Sequence, residues 1–217
     1  MILLTRKKVN FFRSLYHKTI LPMNSIKNLE WRYATKKFDS TKKLNSSQLN
    51  TLKNCFNLTA TSYGLQPLKM VVISNNELKQ QLFQHSYNQA QVADCSHLLV
   101  LCIKTNVDGD YVDEKFDFEK KVRGVEEETI SGFRNFLKDT INKKSEDEIE
   151  NSAINQAYIA LGNLMTICAF EQIDSCPMEG FNPQKFDEIL NLKEQELKSI
   201  LLLPVGFRAE DDFMSQL

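Results

Sequence analysis

Apolar positions fall into distinct rhythms along the 217-residue chain. Between residues 24 and 32, Ile26, Leu29 and Trp31 recur at helical spacing among polar neighbours. Leu49, Leu52, Cys55 and Phe56 form one face of a predicted helix ending near Leu58, with Ser46 and Ser47 as candidate N-caps. Residues 59–64 show no period and read as a loop closed by Gln66 and Pro67. The β-branched run 69–74 predicts a strand, and a second helix follows from Asn76 to about Tyr87, started by Asn75 or Asn76. The continuous apolar run 98–103 predicts a buried strand.

Residues 110–144 are charged yet periodic, which predicts one or two helices with exposed faces, and 143–148 read as a solvated joint or helix start. From 153 to 170 the apolar stripe is wide: Ala153, Ile154, Ala157, Leu161, Leu164, Met165 and Cys168, broadened by Ala160 and Ile167. A helix this apolar is central to the fold or buried between subunits. Gly162 sits inside it, at a cost of roughly 1 kcal/mol relative to Ala; either a second backbone passes close by or the residue is incidental. Asn182 and Pro183 start a short helix to about Leu190, and 199–205 form a last buried strand containing Pro204. Strands alternate with helices, so the class is α/β or α+β with helices covering a sheet. Neither a dinucleotide fingerprint nor a P-loop occurs, and there is no internal repeat.

Composition adds bounds to this picture. Hydrophobic residues make up 42% and charged residues 25%, ordinary globular usage for one domain or two small ones. The net charge of −1 argues against a general nucleic-acid binder. Five cysteines without a C-x-x-C pair read as reduced, mostly buried thiols in a reducing compartment, which places the protein in the cytoplasm. The three His residues lack ligand spacing, so no metal site is expected. No apolar run reaches membrane-spanning length. Residues 1–22 hold five basic and no acidic residues, and read as an extension ahead of a domain at 23–217, or as a basic surface tail.

The stretch Arg32-Tyr33-Ala34-Thr35-Lys36-Lys37-Phe38 places three cations within six residues. It suits either a bound phosphate or a solvated basic turn. Four further pieces keep it company: Thr61-Ser62-Tyr63-Gly64-Leu65-Gln66-Pro67, Tyr87-Asn88-Gln89-Ala90-Gln91, Cys176-Pro177-Met178-Glu179-Gly180-Phe181, and Leu203-Pro204-Val205-Gly206. In order, type and spacing these five pieces, from about Met23 to the end, resemble the nitroreductase family of flavin-dependent NAD(P)H oxidoreductases. The oxygen-insensitive nitroreductase and dihydropteridine reductase branch is the nearest in pattern. The resemblance implies an α+β three-layer sandwich, with a central, mainly antiparallel sheet flanked by helices. It also implies a homodimer with FMN at the subunit interface and NAD(P)H as co-substrate. Electrons would pass by a ping-pong route to a small-molecule acceptor such as a nitroaromatic, quinone or pteridine, with neither nucleic acid nor membrane as partner.

Carried over by residue, the resemblance gives Arg32 the FMN phosphate side and Lys36 the polar edge of the flavin ring. Tyr33 and Ala34 stand where the family usually has His and Ser. Thr61 and Ser62 match a small-hydroxyl pair that approaches the flavin from the partner subunit, and Asn88 matches a ring contact. Gln156 joins the cofactor-binding set. Pro177, Met178, Glu179 and Gly180 match a segment lying against the flavin, with the N–H of Glu179 or Gly180 toward N5. Phe133 and Phe136 fall where aromatic residues cover the substrate channel, a position helix packing also explains. No catalytic side chain is implied, because the chemistry belongs to the flavin. The family's L-P-K-x-R phosphate grip and C-terminal arm have no counterpart before Leu217. That departure makes an FMN-deficient, non-catalytic binding module the alternative expectation.

Overall fold

The computed structural model describes residues 25–216. The expectation for an N-terminal extension at 1–22 lies outside them.

A four-stranded antiparallel sheet organises the chain, in the order β1-β2-β4-β3. Its strands are β1 (Leu68–Ile73), β2 (His97–Lys104), β3 (Asp174–Ser175) and β4 (Leu197–Gly206). The helices are α1 (Ser25–Trp31), α2 (Ser46–Leu58), α3 (Asn76–Gln84) and α4 (Ala90–Asp94), then α5 (Gly109–Arg123), α6 (Glu127–Asn142), α7 (Glu146–Phe170) and α8 (Pro183–Ile189).

Strand alternation sorts the side chains into two cores. Leu99, Leu101 and Ile103 of β2 join Leu201, Leu203 and Val205 of β4 on the face covered by α2 and α7. Leu98, Val100 and Cys102 point the other way, into a core closed by Leu82 of α3, Val92 of α4 and Phe186 of α8. These faces make the three layers of an α+β sandwich. A register shift between Leu101 and Cys102 absorbs one extra residue of β4. The hairpin of α5 and α6 stands apart on its own cluster of Val112, Phe116, Leu137 and Ile141 with Leu65.

Several element starts differ from the sequence reading. α2 is capped by Asn45, not by Ser46 or Ser47: the Asn45 side chain accepts from the Gln48 N–H, and the Gln48 side chain accepts from the Asn45 N–H. α7 begins at Glu146 through the same reciprocal arrangement of Ser145 and Glu148, two turns before the apolar stripe. By length and composition alone α7 meets the test for a membrane-crossing helix, which a buried core helix also passes. Its inner face, including Ala153, Ala157, Leu161 and Leu164, lies in the sheet core. No atom lies within 4 Å of where a Gly162 Cβ would stand, so no other backbone of the described chain approaches it.

Candidate functional site

After α1 the chain runs extended along β3, where Ala34 bridges Ser175 in parallel and the Thr35 N–H donates to the Ser175 carbonyl at 3.3 Å. The Asp39 N–H donates to the Phe207 carbonyl at 2.8 Å and the Ala209 N–H to the Lys37 carbonyl at 2.9 Å. Extended backbone alternates its side chains, and the contacts follow that rule. Tyr33 and Thr35 turn to a polar network, and Lys36 turns to Cys176.

The polar network centres on Asp174, which is buried at 5% exposure. Its carboxylate accepts from the Arg208 N–H at 2.8 Å and from Arg208 Nε at 2.6 Å, and Thr35 Oγ1 lies 3.4 Å away. Burial holds the Asp174 carboxyl above its ordinary range, with Arg208 pulling against that rise. The Arg208 guanidinium lies over the rings of Trp31 and Tyr33, at 4.2 and 4.4 Å from their centroids. Asp212 closes the frame by accepting from the Tyr33 hydroxyl and from the Lys36 N–H, each at 3.1 Å. Tyr33 therefore spends its hydroxyl inside the protein.

The other face of the segment carries two cations that meet no carboxylate among the described residues. Arg32 Nε is buried without a hydrogen-bond partner there. Lys36 Nζ reaches only Cys176 Sγ, at 3.8 Å. Burial raises the Cys176 thiol, while Lys36, a weak contact from Gln91 and Arg32 oppose the rise. A buried unspent guanidinium N–H and a bare ammonium fit an anionic ligand with a polar edge.

Beside them lies the strip 177–180. Met178 is pinned by paired backbone hydrogen bonds with Leu202, at 2.9 and 3.0 Å. The Glu179 carboxylate accepts from the Tyr158 hydroxyl of α7 at 2.8 Å. No hydrogen bond from the N–H of Glu179 or Gly180 occurs among the described residues, and Pro177 is half-buried. Tyr87 and Asn88 are consecutive left-handed residues, φ 53° and 54°, which swing Gln89 inward. Its amide donates to the Gly180 carbonyl at 2.8 Å, and a Cβ at Gly180 would stand 3.0 Å from that amide. Asn88, the predicted ring contact, stays exposed with no partner among the described residues, while Gln89 holds the strip.

The remaining predicted residues gather elsewhere. The Ser62 N–H donates to Gln156 Oε1 of α7 at 3.0 Å, and Thr61 Oγ1 accepts from the Gln66 N–H at 3.1 Å. Phe133 and Phe136 stack at 6.2 Å, with Tyr63 edge-on to Phe133 at 6.3 Å. All three rings are about half exposed, so the pair packs partly on itself and partly faces solvent. The predicted residues thus fall into two separate groups, each a candidate half-site: Arg32, Ala34, Lys36 and 177–180 in one, Thr61, Ser62, Gln156, Phe133 and Phe136 in the other. They touch α7 through different residues, Tyr158 and Gln156. Sequence reasoning missed Trp31, Gln89, Asp174, Arg208 and Asp212. The one available signal was an Asp directly after Ile173 and ahead of Cys176, a buried acid that needs a cation.

Comparison with known proteins follows the same lines. The Nitroreductase family model matches residues 29–207. A Staphylococcus haemolyticus protein bearing an NAD(P)H nitroreductase name is 35% identical over 200 residues, covering 86% of this chain and 89% of that protein. The major NAD(P)H-flavin oxidoreductase of Aliivibrio fischeri is 32% identical over 190 residues, covering 84% and 86%. A nitroreductase-type protein of Exiguobacterium sibiricum, crystallised in complex with FMN, superposes with a TM-score of 0.76 at 17% identity, covering 86% of this chain and 89% of that one. Bacillus subtilis YdfN superposes with the same score at 18% identity, covering 84% and 87%. The two superpositions establish a shared fold.

Proposed function

The chain belongs to the nitroreductase family and is an NAD(P)H-dependent oxidoreductase with FMN as cofactor, and we propose that it reduces a nitroaromatic, quinone or pteridine-type acceptor in a ping-pong cycle. Bound FMN would supply the two-electron hydride carrier between NAD(P)H and the acceptor.

The observation that carries this reading is the pair of uncompensated cations, Arg32 and Lys36, beside the strip 176–180. Arg32 would hold the phosphate, its buried Nε–H being a donor without a partner among the described residues. Lys36 would lie toward the polar edge of the ring, where its charge would favour the reduced flavin. The Glu179 and Gly180 N–H groups are donors for a ring nitrogen, and Gln89 keeps the strip from shifting. Ala34 offers no side-chain donor, so its share is backbone placement along β3.

Thr61, Ser62 and Gln156 sit with the aromatic patch in the other half-site. A homodimer brings that half-site of one subunit to the Arg32–Lys36 half-site of its partner, and the half-exposed Tyr158 and Ile159 of α7 supply apolar surface for the contact. Phe133, Phe136 and Tyr63 then present planar faces to a planar acceptor. The free thiols suit a reducing compartment such as the cytoplasm.

Purified protein incubated with FMN is expected to retain flavin absorbance, to bleach with NAD(P)H without oxygen, and to regain colour with a nitroaromatic or quinone. Initial rates varied in both substrates give parallel double-reciprocal lines. A colourless protein would overturn flavin binding; intersecting lines would overturn the ping-pong order alone.

A further inference from the structure

A cleft of about 550 Å³ lies away from the Arg32–Lys36 half-site. It opens along β1, an edge strand bonded only to β2 among the described residues, whereas Arg32 and Lys36 lie beside β3 at the opposite edge. Three strand spacings, about 14 Å, separate the two edges. α2 forms one wall and α5 the other. A volume of this size suits a small organic molecule.

Its lining combines two chemistries. Phe56, Met70 and Val72 make an apolar floor. Over it stand Lys53, Lys69 and Lys115, against one carboxylate, Glu114. None of those three lysines forms an ion pair among the described residues; Lys115 meets the Gln66 amide at 3.1 Å and the Phe118 ring at 6.0 Å. A fourth lysine on the rim, Lys104, already has Glu196 at 3.7 Å. Burial and the charge of Lys69 both weaken proton binding at Lys115. The two ammonium groups therefore feel each other, and Glu119 offsets the effect on Lys115 only in part. An anion between them relieves that repulsion, and an apolar body attached to it covers the floor.

We propose that this cleft binds a small amphiphilic anion, a carboxylate, sulfonate or phosphate monoester carried on an apolar or aromatic body. The site is separate from the flavin half-sites except at Thr61, which sits on its rim. The assignment stands independently of the redox reading.

The test is calorimetric titration of the FMN-loaded protein with 1-naphthalenesulfonate. Inorganic phosphate serves as the charge-only probe and 1-naphthalenemethanol as the body-only probe. Saturable sulfonate binding is expected, with both controls at least about tenfold weaker. K69E/K115E is expected to weaken sulfonate binding by about tenfold or more, and K53E by a smaller factor, with the melting temperature and flavin absorbance unchanged. Equal binding of the neutral analogue would overturn the proposal. So would sulfonate binding that neither K69E/K115E nor K53E alters, or sulfonate that displaces FMN one for one, since that places it in the flavin site.

Discussion

Arg208 grips Asp174 twice, through its backbone N–H at 2.8 Å and through Nε at 2.6 Å, while Trp31 and Tyr33 lie over its guanidinium. This one side chain ties the end of β4 to the segment that presents Arg32 and Lys36. Lysine at 208 keeps the charge but loses the planar fork and the stacking. Arg208→Lys is expected to destabilise the fold by about 1–3 kcal/mol, because the buried Asp174 keeps the backbone N–H of residue 208 but loses the guanidinium donor and its stacking. Equilibrium urea unfolding measures this; a loss below about 0.5 kcal/mol would show that the clamp is not needed.

Arg32→Ala and Lys36→Ala should fail differently. The arginine variant loses a charge-assisted contact of roughly 1.5–3 kcal/mol, and so holds FMN about ten- to a hundredfold more weakly. The lysine variant keeps most of its flavin but makes it harder to reduce, by about 30 mV per 1.4 kcal/mol of lost charge stabilisation in a two-electron couple. Equilibrium dialysis and spectroelectrochemical titration separate the two. Equal effects of both variants in both measurements would refute the division of roles.

His97 lies beside Ser96, with Nδ1 2.9 Å from the hydroxyl oxygen. Burial lowers its pKa below the ordinary 6.5, and the charges of Lys79, Lys43 and Lys53 lower it further. The unfolded chain therefore takes up a proton more readily than the folded one. The folded state is undiminished by this group well above 6.5, and loses stability as pH falls through 6.5 toward the lower folded value. Urea midpoints at about pH 7.5 and about pH 5.5 should differ less in His97→Gln than in the unaltered protein. An equal drop in both would assign the pH dependence to other groups.

Burial pushes Cys95, Cys102 and Cys168 up to about 12. Only the thiolate reacts with maleimides at a useful rate. In the folded protein Cys55, half-buried at the edge of the core, should label first, and those three only on unfolding. Peptide mapping after timed labelling reads the order. Early modification of any of the three would contradict the packing of that region.

β1, β2 and β4 were legible because each is built on a short apolar or β-branched run, and the sheet places them as central or core-facing elements. The starts of α2 and α7 were not. Their caps, Asn45 and Ser145, precede polar first turns that carry no apolar period. α4 is a five-residue helix, too short for periodicity to register. Which residues share a half-site was beyond the sequence, because sheet order alone sends residue 36 to one edge and residue 61 toward the other. Arg208 looked like a surface residue after a strand; its two aromatic neighbours lie some 175 positions earlier in the chain.

The separate cluster beneath the α5–α6 hairpin has an evolutionary meaning. Gly124, left-handed at φ 62°, ends α5 and turns the chain toward α6, and the two helices pack chiefly on each other and on Leu65. Insertions or substitutions there reshape the surface carrying Phe133 and Phe136 while the sheet keeps its register. On the proposed role of Phe133 and Phe136, variation confined to this hairpin would change which acceptors fit without disturbing the sheet.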